Sequence, residues 1–173
     1  MVRILLRSPY RYSQVQLCAS LQAYGANVIQ LSAPIGAAVT PSQLEEALKQ
    51  KQYKLVTITH VDTSTGVLSD VKALTEVVRR VSPQTLVCAS SPFLCRRNAE
   101  VMPARQVAVD AVCSVASEEL RMDEWGVDVI VSASQKGLGA PPGLSIVAAS
   151  QRALDVYRAR KTPVASYYAS WDK

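Results

Sequence analysis

The run VAVDAVCSVASEELRMDEWGVDVIVSASQKG, residues 107–137, contains two short apolar, β-rich segments, Val107–Val109 and Val127–Val131. Each hands a charged side chain to the loop that follows. Asp110 comes directly after the first, and Lys136 comes after the second and the polar residues Ser132, Ser134 and Gln135. In an open α/β sheet the crevice beyond the carboxyl ends of the strands is where ligands bind. A carboxylate and an amine are therefore expected to meet at one sheet edge.

The flanking sequence supplies the rest of such a sheet. Upstream, Lys54–Thr59 (KLVTIT) reads as a β-branched strand followed by the polar turn HVDTSTG, residues 60–66. A helix is predicted over Val71–Val81, with Val71, Leu74, Val77, Val78 and Val81 on one face and Ser69 or Asp70 as its cap. Thr40-Pro41-Ser42-Gln43 has the form of a capping box with proline in the first turn. Asn27–Leu31 reads as a strand, and Val15, Cys18, Leu21 and Tyr24 recur at helical spacing. Downstream, Leu144–Ala148 reads as a strand and Ser150 opens a helix to about Arg160. This alternation predicts an α/β fold, a three-layer α/β/α arrangement around a mostly parallel central sheet. Residues 1–16 fit the rhythm poorly. Residues 89–106, ASSPFLCRRNAEVMPARQ, break it, with two prolines and no period.

Composition narrows the classes. The 173 residues suit one domain, and no apolar run approaches the ~18–20 residues of a membrane span. The net charge of +5 is scattered, with no basic block longer than an arginine pair and no aromatic stacking platform, which argues against a nucleic-acid partner. Cys18, Cys88, Cys95 and Cys113 lack a CxxC spacing and His60 is the single histidine, so a zinc site is not expected; reduced, buried thiols in a soluble intracellular protein are. The apolar run Ile4–Leu6 is too short for a secretory leader. Peroxisome, mitochondrion and cytosol are not resolved.

Lys136 and Asp110 suggest a chemistry. A lysine desolvated in a glycine-rich loop forms an imine with an aldehyde. An aspartate facing a pyridine nitrogen keeps that nitrogen protonated, so the pair suits pyridoxal 5'-phosphate (PLP). Thr63, Ser64 and Thr65 offer hydroxyls at another strand end, and Gln135 could donate to a phosphate. Each residue also has a plainer reading: a surface lysine, a turn-forming aspartate, hydroxyls that cap the next helix. The loop 137–143 resembles a dinucleotide fingerprint only superficially, because a strand and not a helix follows it, and no GxSxG elbow is present.

HVDTSTGVLSDVKAL (60–74), VDAVCSVASEELRMDEWGVDV (109–129) and SASQKGLGAPPGLSI (132–146) together resemble the alanine–glyoxylate and serine–pyruvate aminotransferases, class-V PLP enzymes of fold-type I. The resemblance looks closest to the fungal members and covers about residues 18–88 and 107–173. It implies that Lys136 is the Schiff-base lysine, Asp110 the partner of the ring nitrogen, Thr63 a hydroxyl beside the cofactor, and Gln135 a phosphate ligand. It implies transfer of an amino group from alanine or serine to glyoxylate, giving glycine, in a homodimer acting on small amino and 2-oxo acids. Against that pattern, 1–173 is expected to be a partial PLP-binding large domain. Its N-terminus (1–16) is atypical, 89–106 is an insert or retained intron, Tyr10 or Tyr12 replaces the ring-stacking aromatic only by a shifted alignment, and the small C-terminal domain is absent. A catalytically inactive truncated paralogue is the alternative expectation.

Overall fold

The computed structural model describes the backbone of residues 2–7, and residues 19, 22–23, 25–51, 53–81, 106–161, 164 and 170–171. Among these the elements are β1 (Val2–Arg7), β2 (Asn27–Ser32), α1 (Pro41–Gln50), β3 (Leu55–Thr59), β4 (Val61–Asp62), β5 (Val67–Leu68), α2 (Val71–Val81), β6 (Gln106–Asp110), β7 (Val129–Ala133), β8 (Ser145–Ala149) and α3 (Gln151–Arg158). Tyr10, Tyr12, residues 89–105 of the expected 89–106 insert and most of the helix expected over Val15–Tyr24 lie outside the described residues, and Gln106 opens β6.

Six strands form one sheet in the order β2-β1-β3-β6-β7-β8, and β4 and β5 make a separate hairpin. The pairs β1–β2, β1–β3, β3–β6 and β6–β7 are parallel, and only β7–β8 is antiparallel. A parallel sheet is stable when both faces are covered, and the side chains divide accordingly. Val56, Ile58, Val107, Val109 and Ile130 point into a core roofed by Leu44 and Leu48 of α1 and Val71, Leu74 and Val78 of α2. Leu55, Ala108, Val129 and Val131 form the opposite core with Ala153 of α3, and Trp171 packs against it. All five residues of β3 are buried. The α/β fold with a mostly parallel central sheet is thus as expected.

Local chemistry sets the ends. Thr40 caps α1 by accepting the Gln43 N–H while the Gln43 side chain accepts the Thr40 N–H at 2.9 Å, the reciprocal box read from the sequence. Asp70, rather than Ser69, caps α2, accepting the Ala73 N–H at 2.9 Å. The two helices are stapled by Arg80 on Glu45 at 2.8 Å.

Two readings need correction. The second strand of the central run is Val129–Ala133, not Val127–Val131. Val127 donates to the Met122 carbonyl at 2.9 Å and closes a turn, so sheet pairing starts two residues later, at Ala108↔Val129. HVDTSTG is also more than a turn: its own Val61 and Asp62 form β4 and pair with the residues that follow it, Val61↔Leu68 and Asp62↔Val67, as the β4–β5 hairpin. Cys113 is a half-buried free thiol rather than a buried one, and the other three cysteines lie outside the described residues. Among the described residues no helix is long and apolar enough to cross a membrane.

Candidate active site

Of the adjacent parallel strands β3, β6 and β7, the first two end in register, Thr59 beside Asp110, and β7 runs two residues past Val131, the partner of Asp110, to Ala133. Beyond these ends lie the four residues singled out by sequence. Asp110 closes β6 and is half-buried; its Oδ1 accepts the Val112 N–H at 3.2 Å, and its carbonyl accepts the His60 N–H at 2.9 Å. Thr63 is exposed at the tip of the β4–β5 hairpin that leaves β3. The hairpin is shaped by Asp62, whose Oδ1 accepts both the Ser64 N–H and its hydroxyl and whose carbonyl accepts the Gly66 N–H at 2.7 Å. Gln135 and Lys136 are exposed in the turn just past β7. Gly139 donates to the Lys136 carbonyl at 2.9 Å, and Ala140 donates to the Ser134 carbonyl at 3.0 Å.

The loop after Asp110 and the turn bearing Lys136 are tied to one another. The Ala111 N–H donates to the Val131 carbonyl at 3.0 Å, and the Ser132 hydroxyl donates to the Ala111 carbonyl at 3.2 Å. Gly137 lies so close to this loop that a Cβ there would fall 2.3 Å from the Val115 carbonyl oxygen. Asp110 and Lys136 therefore stand on one body at one sheet edge. Thr63 shares the edge without a hydrogen bond joining it to either.

Sequence reading missed His60 as part of this edge. It continues the Val56, Ile58 alternation onto the α1–α2 side and is only 3% exposed. Its Nδ1 has no hydrogen-bond partner among the described residues, and the same holds for the buried Ser114 and Thr65 hydroxyls. The period-two pattern was the signal that could have found it. Burial lowers the imidazole's affinity for a proton below the ordinary value, and the charge of Glu118 opposes this only in part. A histidine whose folded-state pKa is depressed contributes stability that is complete above its unfolded value, near ~6.5, and lost as pH falls through the folded-state value. Thermal unfolding followed from pH 8 to 5 should show Tm falling below that point, as this group lowers stability by at most about 1.4 kcal/mol per pH unit. His60→Asn should remove that component of the slope; an unchanged slope would place the acid sensitivity elsewhere.

The opposite, amino edge of the sheet is organised by Asp128, which is 0% exposed. Its carboxylate accepts from Arg79 of α2 at 2.8 Å, from Arg152 Nε of α3 at 2.7 Å, from the Ser150 hydroxyl at 3.3 Å and from the Val107 N–H. Burial raises the carboxyl's affinity for a proton and the two guanidiniums lower it, so the ionised form depends on both pairs. This cluster joins the two helical layers through the sheet, and it is remote from Lys136.

The sequence pattern of "Aminotransferase class-V" matches residues 11–97 and 97–162. The chain belongs to the class-V aminotransferase family. The relatives of this family member include alanine–glyoxylate aminotransferase 1 of Saccharomyces cerevisiae, 43% identical over 136 residues that make up 78% of this chain and 30% of that protein. They also include L-aspartate–glyoxylate aminotransferase of Paracoccus denitrificans, 35% identical over 89% of this chain and 34% of that protein. The crystal structure of alanine–glyoxylate aminotransferase from Nostoc sp. superposes with a TM-score of 0.78 at 29% identity, over 98% of this chain and 39% of that one. The chain thus spans about a third of the length of the curated relatives it matches. The junction between the two matched segments, residue 97, falls inside the 89–106 run that departs from the strand–helix rhythm.

The donor set at the carboxyl edge fits the family's cofactor. An amine, a half-buried carboxylate on the neighbouring strand, a hydroxyl and an amide are the groups an aldehyde, a pyridine nitrogen, a phenolic oxygen and a phosphate require.

Proposed function

We propose that this chain is the cofactor-anchoring core of a PLP-dependent aminotransferase that delivers the amino group of alanine or serine to glyoxylate, giving glycine. The observation that carries this is the placement of Asp110 and Lys136 at the ends of the adjacent strands β6 and β7, on loops hydrogen-bonded to each other. The glyoxylate aminotransferase names of its relatives supply the substrate class.

When bound, PLP supplies an aldehyde and an electron-withdrawing ring. Lys136 would hold the cofactor through its aldehyde, and its amine would carry a proton to and from the substrate α-carbon. Asp110 would keep the proton on the ring nitrogen, and the β6 end that holds it is intact, paired with β3 through all five residues. Thr63 would donate to or accept from the phenolic oxygen, and Gln135 would donate to the phosphate. Leu138 in the Lys136 turn, Leu144 just before β8, and Ile146 and Val147 on that edge strand are exposed apolar side chains of the kind found at partner surfaces. They support the homodimer reading. The 89–106 run, on this reading, is an insertion that ends at the first residue of β6.

Asp110→Asn tests the carboxylate. The amide cannot hold the ring proton, so amino transfer should fall at least about 10²-fold while the cofactor still attaches to Lys136. The broader test is to supply the chain with PLP, glyoxylate and alanine or serine and to measure glycine. Glycine that depends on PLP supports the reading. Cofactor attachment without glycine from either donor would instead favour an inactive paralogue.

A further inference from the structure

We infer that the segment Val115-Ala116-Ser117 is the seat that fixes where Lys136 stands, with Ser117 and Gly137 as its positioning residues; this rests on the reading of Lys136 given above. A Cβ on Gly137 would lie 2.3 Å from the Val115 carbonyl oxygen and 2.4 Å from Ser117 Oγ. Gly137 does not have a positive φ, so glycine is needed there for space and not for backbone conformation. In the same turn Gly139 has φ +64° and nothing within 4 Å of its Cβ position, so the tightness belongs to residue 137 alone.

The opposing segment is itself held in an uncommon shape. Ala116 has φ 68°, the one non-glycine residue with positive φ among those described. That conformation is costly for an L-residue with a Cβ. It is kept by hydrogen bonds on either side: Val115 N–H to the Ala111 carbonyl at 3.0 Å, Ser117 N–H to the Ser114 carbonyl at 2.9 Å and Glu118 N–H to the same carbonyl at 2.8 Å. The strained residue thus sits between the two residues that touch Gly137. Through Ala111 the segment is bonded to β7 and continuous with Asp110. Contact at Gly137 therefore refers the amine of the preceding residue, Lys136, to the carboxylate of Asp110, five residues upstream of the seat. Displacement of a reacting group by about 1 Å costs about 10²-fold in rate, so even a small lift of this turn should register.

The experiment compares PLP binding by the full chain and its variants, read as the visible absorption band that depends on Lys136, together with the pH midpoint of that band and the thermal unfolding midpoint. Gly137→Ala should weaken apparent PLP affinity about tenfold or more and shift the pH midpoint. Adding Ser117→Gly, which removes the side-chain obstruction and leaves the Val115 carbonyl, should recover part of both. Should Gly137→Ala not accumulate as folded protein, Ser117→Val grows the same contact from an exposed position and should show the same loss. Affinity and pH midpoint unchanged in either single variant overturn the inference while the wild-type band leaves the cofactor reading standing. Recovery of thermal stability alone in the double variant also overturns it, because a purely structural contact would behave that way. No band in the wild-type chain overturns both.

Discussion

Asp128→Ala should cost about 2–4 kcal/mol of stability, seen as a lower urea midpoint at unchanged m. The carboxylate is fully buried and accepts from two helices, a hydroxyl and a strand N–H. Its removal leaves the buried Val107 N–H without that acceptor, worth about 1–3 kcal/mol. It also strands two guanidiniums. Breaking a buried pair from one side typically costs about 3–5 kcal/mol, and that figure is reduced here because the side chain of Arg79 is 25% exposed and that of Arg152 42%. Against a total stability of about 5–15 kcal/mol for an ordinary domain, the loss is large. Arg152→Ala should cost far less, since water replaces the carboxylate's partner on the exposed side. Comparable losses in the two variants would mean that the cluster is not organised around the aspartate. The variant chain should bind PLP normally wherever it is folded, because Asp128 lies at the amino edge and Lys136 at the carboxyl edge.

Lys136→Ala is the substitution with the largest expected effect on function. Among the described residues at this edge, Lys136 carries the one amine able to form a covalent bond with an aldehyde and then carry a proton. Without it, positioned proton transfer is lost, a contribution of about 10²–10⁴-fold, in addition to the covalent attachment. Thr63→Ala and Gln135→Ala remove a single hydrogen-bonding group each from exposed turns and should cost less.

Much of this was readable in the sequence because the chemistry coincides with local pattern. The Lys54–Thr59 and Val107–Val109 runs end where the sheet ends, so Asp110 falls at the carboxyl edge as expected. The Thr40–Gln43 box is short-range and was read in full. The family assignment came from the same motifs. What escaped depends on long-range pairing. In Val127-Asp128-Val129-Ile130-Val131 the apolar period does not show where pairing begins. That depends on Val107 and Met122, which hold Asp128 and Val127 in place. The Asp128 partners Arg79 and Arg152 lie 49 and 24 residues away, and nothing in their local sequence marks them. The β4–β5 hairpin has strands of two residues each, too short to show a period. The tightness at Gly137 arises from a loop that reaches it through tertiary packing.

The most direct test of the central claim is the absorption spectrum of the purified chain with PLP, before and after Lys136→Ala. The account predicts a visible band that borohydride fixes irreversibly to the wild-type chain at Lys136, and that is absent from the variant. A band of equal strength in Lys136→Ala, or borohydride labelling at another lysine, would contradict it.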